Sequence, residues 1–596
     1  MLAVRSRKDA GDIIPAMFFG AAVAMIFTQI AGYAATMIDG IITIRTLGAD
    51  AYSGVSLLGP FTGLVLLFGG FISTGEQVVC SSLVGGGRKD EANAVFSLSV
   101  LFALIVSGLL LFACTTFPRE LLLICGVSVG KQPDLYPHMT SYLRGYMTGI
   151  PAMLVILVIG PMIVMDNGKR LFTLSAFLLC AVDVAGDLLN VFVFHGGTFG
   201  MGTASAAAFY LQLLFLLTHF LNKNCYFHLS LRTFSPKILP ELFKAGSPTF
   251  VLKAATTLRD LLVNRINLAV ALTTAAVAAR GIQNDLNTML FCIGLGIGKT
   301  MITMTGVYYG ADDRSGLTKL FAYCMRLSVI ISGGVSLVAF AAAPALARLY
   351  TGDPAVLSLS VFSIRCMALG FVLDTVSVVF QNYLQGIKNQ RLVNVMNFGD
   401  RLFIPVGTAF VMGLLWGSKG IMASIAVGKL ILVLLLFGAL CFRCRRIPRK
   451  WDDYMLLPEG FGGAPSDNLY ASISTAEDVV RESRHAEEFC MAHGSGEKKA
   501  KYMGLFVEEL AGNILSHGKP QGRRHVNVDY RLFVSGNRIC LSLRDFCEKF
   551  DPTACYAAHS GDNPEENIGI RMVGKMAKEF RYFNAFNSNN ILVYLD

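Results

Sequence analysis

The sequence predicts a polytopic α-helical membrane protein of about twelve transmembrane helices in two six-helix lobes, followed by a C-terminal α/β sandwich. Three observations predict it. The 596 residues are 54% hydrophobic and 15% charged, with a mean hydropathy of +0.55, which excludes an ordinary soluble protein. The apolar residues fall into about twelve blocks between Ile13 and Cys441, and Val100–Cys114 and Ile421–Cys441 approach the ~20 residues that span hydrocarbon as helix. From Trp451 onward the character reverses, with five more acids than bases, so the preceding part carries about +15 of the net +10.

Taken in order, the opening MLAVRSRKDAGD is polar and runs into the first span without a signal-peptide cleavage pattern. Basic residues then gather in alternate loops: Arg5, Arg7 and Lys8; Arg88 and Lys89; Lys169 and Arg170; Arg232 and Lys237; Arg314 and Lys319; Lys388 and Arg391. The series ends with Arg443, Arg445, Arg446, Arg449 and Lys450, while intervening loops hold few, such as Arg119 and Lys131. The positive-inside rule therefore places both termini in the cytoplasm of a bacterial inner membrane. The excess charge faces anionic lipid, which makes the bilayer the partner and leaves no role for nucleic acid.

The spans divide into a first lobe at 1–222 and a second at 223–445. Ile72–Glu91 is similar to Leu295–Arg314, with Gly75 and Gly87 answering Gly298 and Gly310, and Asn167–Arg170 answers Gly386–Arg391. Parallel repeats of this kind are a common build for secondary transporters, with substrate held between the lobes. A basic juxtamembrane segment and Gly/Pro-rich linker occupy 446–469. The domain at 470–596 contains a polar helix around EELAGNILSHG (Glu508–Gly518) and expected strands at Arg538–Asp545, Glu579–Phe586 and Asn590–Asp596. The Cys441/Cys444 pair has no second pair, which argues against zinc, and His485 reads as a surface histidine.

Several stretches resemble the MATE (multidrug and toxic compound extrusion) transporters. Thr36–Pro60 is similar to their first-helix signature, Asp187–Ala208 to the passage from fifth to sixth helix, Ala245–Phe250 to the start of the seventh, and Tyr383–Arg391 to the end of the tenth. The resemblance implies alternating access and export of organic, cationic or amphipathic small molecules, coupled to H⁺ or Na⁺ influx. It marks Asp39 and Asp187 as coupling acids, with Asp183 one turn from Asp187, and Asp374 as a second-lobe cation acid. The matching seventh-helix glutamate is absent, its position falling near Thr256 and Thr257. Lys253, Arg259, Asp260 and Arg265 stud the seventh span instead, which keeps anionic or lipid-linked cargo, and hence a flippase, as an alternative.

The C-terminal segment resembles the GHKL ATP-binding superfamily in its anti-sigma-factor serine kinase branch. The resemblance implies Glu509 as catalytic base, Asn513 as ligand to Mg²⁺ between phosphates, Asp545 as acceptor for the adenine amino group and Gly569 in the phosphate loop. Cys547 stands where the family has glycine, and the second loop keeps one glycine of two. ATP and Mg²⁺ are thus the implied cofactors, with either a regulatory role or phosphorylation of a protein partner on Ser or Thr. A membrane sensor with kinase output is a further alternative. No GxxxxGK[ST] loop is present, so the segment is not an ABC-type motor.

Overall fold

The computed structural model describes residues 13–56, 58–120, 135–222, 225–229, 238–270, 274–519, 526–536, 538–558 and 568–595. Arg5, Arg7, Lys8, Lys131, Arg232 and Lys237 lie outside the described residues. The first lobe consists of α1 (Ile13–Thr46), α2 (Gly59–Gly85), α3 (Lys89–Thr116), α4 (Leu135–Met165), α5 (Lys169–Phe194) and α6 (Gly197–Leu221). The second opens with α7 (Leu239–Val270), α8 (Thr274–Gly310), α9 (Arg314–Ala341) and α10 (Pro354–Gly386). Ten described helices are long and apolar enough to cross a membrane. The last of these, Gln390–Cys444, turns at Gly417 (φ 59°, ψ −143°) and so forms two spans, α11 (390–417) and α12 (418–444). Helix α7 falls outside the apolar ten because six charges, from Glu241 to Arg265, interrupt it. Twelve spans result.

The lobes repeat one another in their turns. Gly87 (φ 67°) between α2 and α3 has its counterpart in Asp312 (φ 52°) between α8 and α9. Asn167 (φ 67°) between α4 and α5 likewise matches Lys388 (φ 61°) between α10 and α11. By turn geometry Gly87 therefore answers Asp312, two residues beyond the Gly310 that sequence similarity pairs with it. Gly310 has a different task. A Cβ there would lie 1.9 Å from Ser82 O, and one on Gly85 would lie 1.9 Å from Val307 O. The two glycines let α2 and α8 cross backbone to backbone, tying the lobes together at the end that meets the C-terminal domain. On the same side, Thr249 Oγ1 of α7 donates to Thr74 Oγ1 of α2 at 3.0 Å.

The C-terminal domain is a five-stranded antiparallel sheet in the order β1-β2-β3-β5-β4. Its strands are β1 (Asn468–Ile473), β2 (Val528–Ser535), β3 (Arg538–Asp545), β4 (Glu579–Ala585) and β5 (Ser588–Leu595). The strands at Arg538, Glu579 and Asn590 match the sequence expectation; β1 and β2 were not expected. Alternation decides what each face does. Tyr530, Leu532, Ile539, Leu541, Leu543, Ile591 and Val593 pack under α13 (Ala476–Ala492), α14 (Glu497–His517) and α15 (Ile568–Met576). Phe533, Cys540, Phe583, Ala585 and Leu592, on the opposite face, join the core of the membrane helices. Both faces are covered, and the docking face mixes apolar residues with Arg531, Arg544 and Arg581, so the strands alternate rather than run apolar throughout.

That second face spans both lobes. On the first, Arg581 Nη1 donates to Gly86 O at 2.8 Å and Phe586 N to Met165 O at 3.0 Å. Asn167 bridges Asn584 and the Asn587 amide. On the second, Arg531 donates to Ala311 O at 3.1 Å and Asp312 O at 2.7 Å. Arg544 stacks on Tyr308 at 4.6 Å and lies 3.8 Å from Asp313. The linker is part of this interface, since Phe461 stacks on Tyr309 at 4.9 Å.

Candidate ion and nucleotide sites

Asp39 comes from α1, and Asp183 and Asp187 from successive turns of α5. All three are buried, Asp187 completely. Thr43 Oγ1 donates to Asp39 Oδ1 at 3.3 Å and Ser205 supports Asp183. Neither oxygen of Asp187 receives a hydrogen bond from the protein, and the Asp39 carboxyl lies against it. Two acceptors facing one another require a shared proton or a bound cation. No basic side chain pairs with any of the three among the described residues. Helix α5 then widens into a π-turn at Asn190–Phe194, a local unwinding common near functional sites.

The second lobe solves the same problem differently. Asp374 of α10 receives Lys429 Nζ of α12 at 2.6 Å and Arg401 Nη1 of α11 at 3.4 Å. Asp400 contacts the same Lys429 and accepts from Gln381 Nε2 at 3.0 Å. A π-turn at Gly399–Phe403 turns both Asp400 and Arg401 inward. Two acids and two bases therefore neutralise one another around Asp374. Thr256 and Thr257 turn their hydroxyls back onto Leu252 O and Lys253 O of their own helix. Sequence reasoning missed Arg280, Lys299, Asp400, Arg401, Lys429 and the fully buried Glu76, although each is a charge inside a span and the intramembrane-charge rule applies to all of them.

In the C-terminal domain, α14 carries Glu509 and Asn513 one turn apart. The structure brings Glu509 to Gly569 at the start of α15: a Cβ on Gly569 would fall 1.7 Å from Glu509 Oε2. Asp545, at the end of β3, is 2% exposed, and its Oδ1 accepts from Asn589 Nδ2 and Cys547 N, each at 2.8 Å. Burial holds its carboxyl above the usual range, against the pull of those two donors. Burial, with Asp545 beside it, pushes the Cys547 thiol up to about 12. Asn513 is half-buried and makes no hydrogen bond among the described residues; Glu566 and Asn567 lie outside them. A carboxylate and an amide oxygen on one helix face are hard donors that fit Mg²⁺, and a buried aspartate fits an amino group. His485 lies on Glu482 at 3.1 Å, as a structural histidine does. Asp166, His219 and Cys225 come within 4.8 Å of one another, but Asp166 Oδ2 already accepts from Tyr226 N at 2.8 Å.

Comparison with known proteins agrees with both halves. The MatE family profile matches residues 24–182 and 248–411, and that of the histidine kinase-like ATPase domain matches 473–593. The multidrug export protein MepA of Staphylococcus haemolyticus is 20% identical over 412 residues, 66% of this chain and 87% of the relative. The multidrug resistance protein NorM of Vibrio cholerae is 23% identical over 452 residues, covering 71% and 93%. Among solved structures, the Vibrio cholerae MATE transporter VcmN superposes with a TM-score of 0.67 at 13% identity, over 72% of this chain and 97% of that one. An outward-facing MATE family transporter superposes at 0.65 and 18% identity, covering 72% and 95%. The chain belongs to the MatE family of membrane transporters and carries a histidine kinase-like ATPase domain fused behind its second lobe.

Proposed function

We propose that the chain is a multidrug exporter of organic, cationic or amphipathic molecules, coupled to H⁺ or Na⁺ at Asp39, Asp183 and Asp187, and regulated by its cytoplasmic ATPase-like domain. The observation that carries the coupling assignment is the Asp39–Asp187 contact, two carboxyls without a basic partner among the described residues. A proton or cation bound there neutralises the first lobe, and its release restores the repulsion that favours the other conformation. Asp374 is already neutralised by Lys429 and Arg401, so a coupling role for it requires displacing a tethered ammonium. For the ATPase-like domain, the regulatory reading is supported by its docking across both lobes. ATP with Mg²⁺ supplies a charged ligand there, which Asn513, Asp545 and the Gly569 loop are suited to bind, with Glu509 alongside.

The test is dye efflux in everted vesicles under an imposed pH or Na⁺ gradient with ATP withheld. Asp39→Asn abolishes gradient-driven transport, while Asn513→Ala retains it. Transport that persists in Asp39→Asn removes the coupling assignment, and transport that needs ATP removes the secondary-transport reading.

A further inference from the structure

The hairpin joining β4 to β5 turns at Phe586 and Asn587, both with left-handed backbone (φ 53° and 60°), as a two-residue type I′ turn requires. Its tip docks on the α4–α5 turn of the first lobe. There the Phe586 amide donates to Met165 O at 3.0 Å and the Asn587 amide to Asn167 Oδ1. Behind the tip, side-chain amides carry the contact inward. Asn167 Nδ2 donates to Asn584 Oδ1, Asn584 Nδ2 to Asn589 Oδ1 at 2.6 Å, and Asn589 Nδ2 to Asp545 Oδ1 at 2.8 Å. Tyr582 Oη also donates to Asn589 Oδ1, at 2.7 Å. Asn584 and Asn589 are 4% and 3% exposed, so a partner lost at either leaves a buried amide group unsatisfied.

The direction of this chain is set at both ends, because a backbone N–H only donates and a carboxylate only accepts. Each of the three amides between Asn587 and Asp545 therefore has one orientation that satisfies its neighbours, with its NH₂ toward Asp545. Asp545, held as the acceptor for an adenine amino group, fixes Asn589, and Asn589 in turn fixes Asn584 with its oxygen presented to Asn167. Hydrogen bonds in such a row also polarise one another. Arg531, by contrast, meets the second lobe directly, donating from β2 to Ala311 O and Asp312 O. We infer that Asn589, Asn584 and Asn167 form a relay through which a nucleotide held at Asp545 tightens the hairpin's grip on the first lobe. The grip must then tighten the nucleotide by the same factor. The inference rests on the nucleotide-binding reading of the C-terminal domain and adds the path and the lobe on which it acts.

Reciprocity makes the relay measurable from either end. A fluorescent ATP analogue with Mg²⁺ is titrated into the full chain in nanodiscs. Asn167→Gly removes an amide that lies in the other domain, three hydrogen bonds from Asp545, and glycine keeps the left-handed turn without strain. It weakens the analogue about fivefold, and Asn584→Ala does the same. The two together are no weaker than Asn584→Ala alone, since one missing link already breaks the chain. Arg531→Ala, which loosens the domain at the second lobe only, keeps wild-type affinity. From the other end, hydrogen exchange at the Phe586 and Asn587 amides slows about fivefold when the analogue is added to wild type, and is unchanged by it in Asn584→Ala. Wild-type affinity in Asn167→Gly overturns the inference. So does equal weakening by Asn167→Gly and Arg531→Ala, which would make docking as a whole the cause. A wild-type chain that binds no analogue overturns the nucleotide reading, and the relay with it.

Discussion

Lys429 shows how one side chain can change the meaning of a site. Its ammonium occupies the position between Asp374 and Asp400 where a mobile cation would otherwise be needed. Removing it leaves two buried carboxylates with Arg401 as their only base among the described residues, and breaking a buried pair in this way costs about 3–5 kcal/mol. Lys429→Met therefore lowers the unfolding temperature sharply, and adding Asp400→Asn recovers part of the loss. The same argument predicts a split between the lobes in transport. Asp39→Asn abolishes dependence on the coupling ion, while Asp374→Asn leaves that dependence and changes mainly stability, both measured as efflux against imposed gradients. Equal loss of ion dependence in the two variants would show that Lys429 moves away during the cycle.

Elements set these residues in place, and the glycine crossing of α2 with α8 is the clearest case. Gly310→Ala introduces a methyl within 1.9 Å of a carbonyl oxygen, and overpacking of this kind costs about 1–3 kcal/mol. The lobes part at this end, and a thiol probe placed at Ser81 becomes more reactive. In the C-terminal domain the sheet and α14 hold Asp545 in a buried place, with its carboxyl raised above the usual range. Only the ionised form accepts from an adenine amino group without losing an oxygen to its own proton. Affinity for a fluorescent ATP analogue consequently falls as pH drops through that raised value, earlier than an exposed aspartate would allow. Asp545→Asn lowers affinity about tenfold and flattens the acid limb.

How much of this was legible in the sequence follows from what a local pattern can encode. The spans were legible because burial in lipid demands long apolar runs. β3, β4 and β5 were legible as apolar segments. β1 is six residues long and starts directly after the Gly/Pro linker, across the expected domain boundary, and β2 carries Asp529 and Arg531, which break an apolar pattern because Arg531 is reserved for the docking face. Asp39 and Asp187 were marked by resemblance, but their contact depends on how α1 meets α5, which no spacing records. Lys429, Arg401 and Asp400 were each open to notice as charges inside a span, but that they neutralise one another is invisible until the helices are placed.

At the scale of the whole molecule, the sheet of the ATPase-like domain lies across the parts that alternating access must separate. Arg581 and Asn167 bind it to the first lobe, Arg531 and Arg544 to the second, and the glycine crossing lies between these anchors. Each charge-assisted hydrogen bond contributes about 1.5–3 kcal/mol, so losing the bonds of Arg531 and Arg581 together shifts the closed-to-open equilibrium by about two orders of magnitude or more, enough to populate the open state beside the closed one. Spin labels at Glu91 and Lys319, near the starts of α3 and α9, read the separation. Wild type gives a short distance, and the double variant Arg531→Ala/Arg581→Ala adds a longer population. A nucleotide that alters docking shifts wild type in the same coordinate, and Asp545→Asn abolishes that response. If the double variant and wild type give one distribution with and without ATP, the domain does not control the gate, and its attachment to both lobes serves only to anchor it.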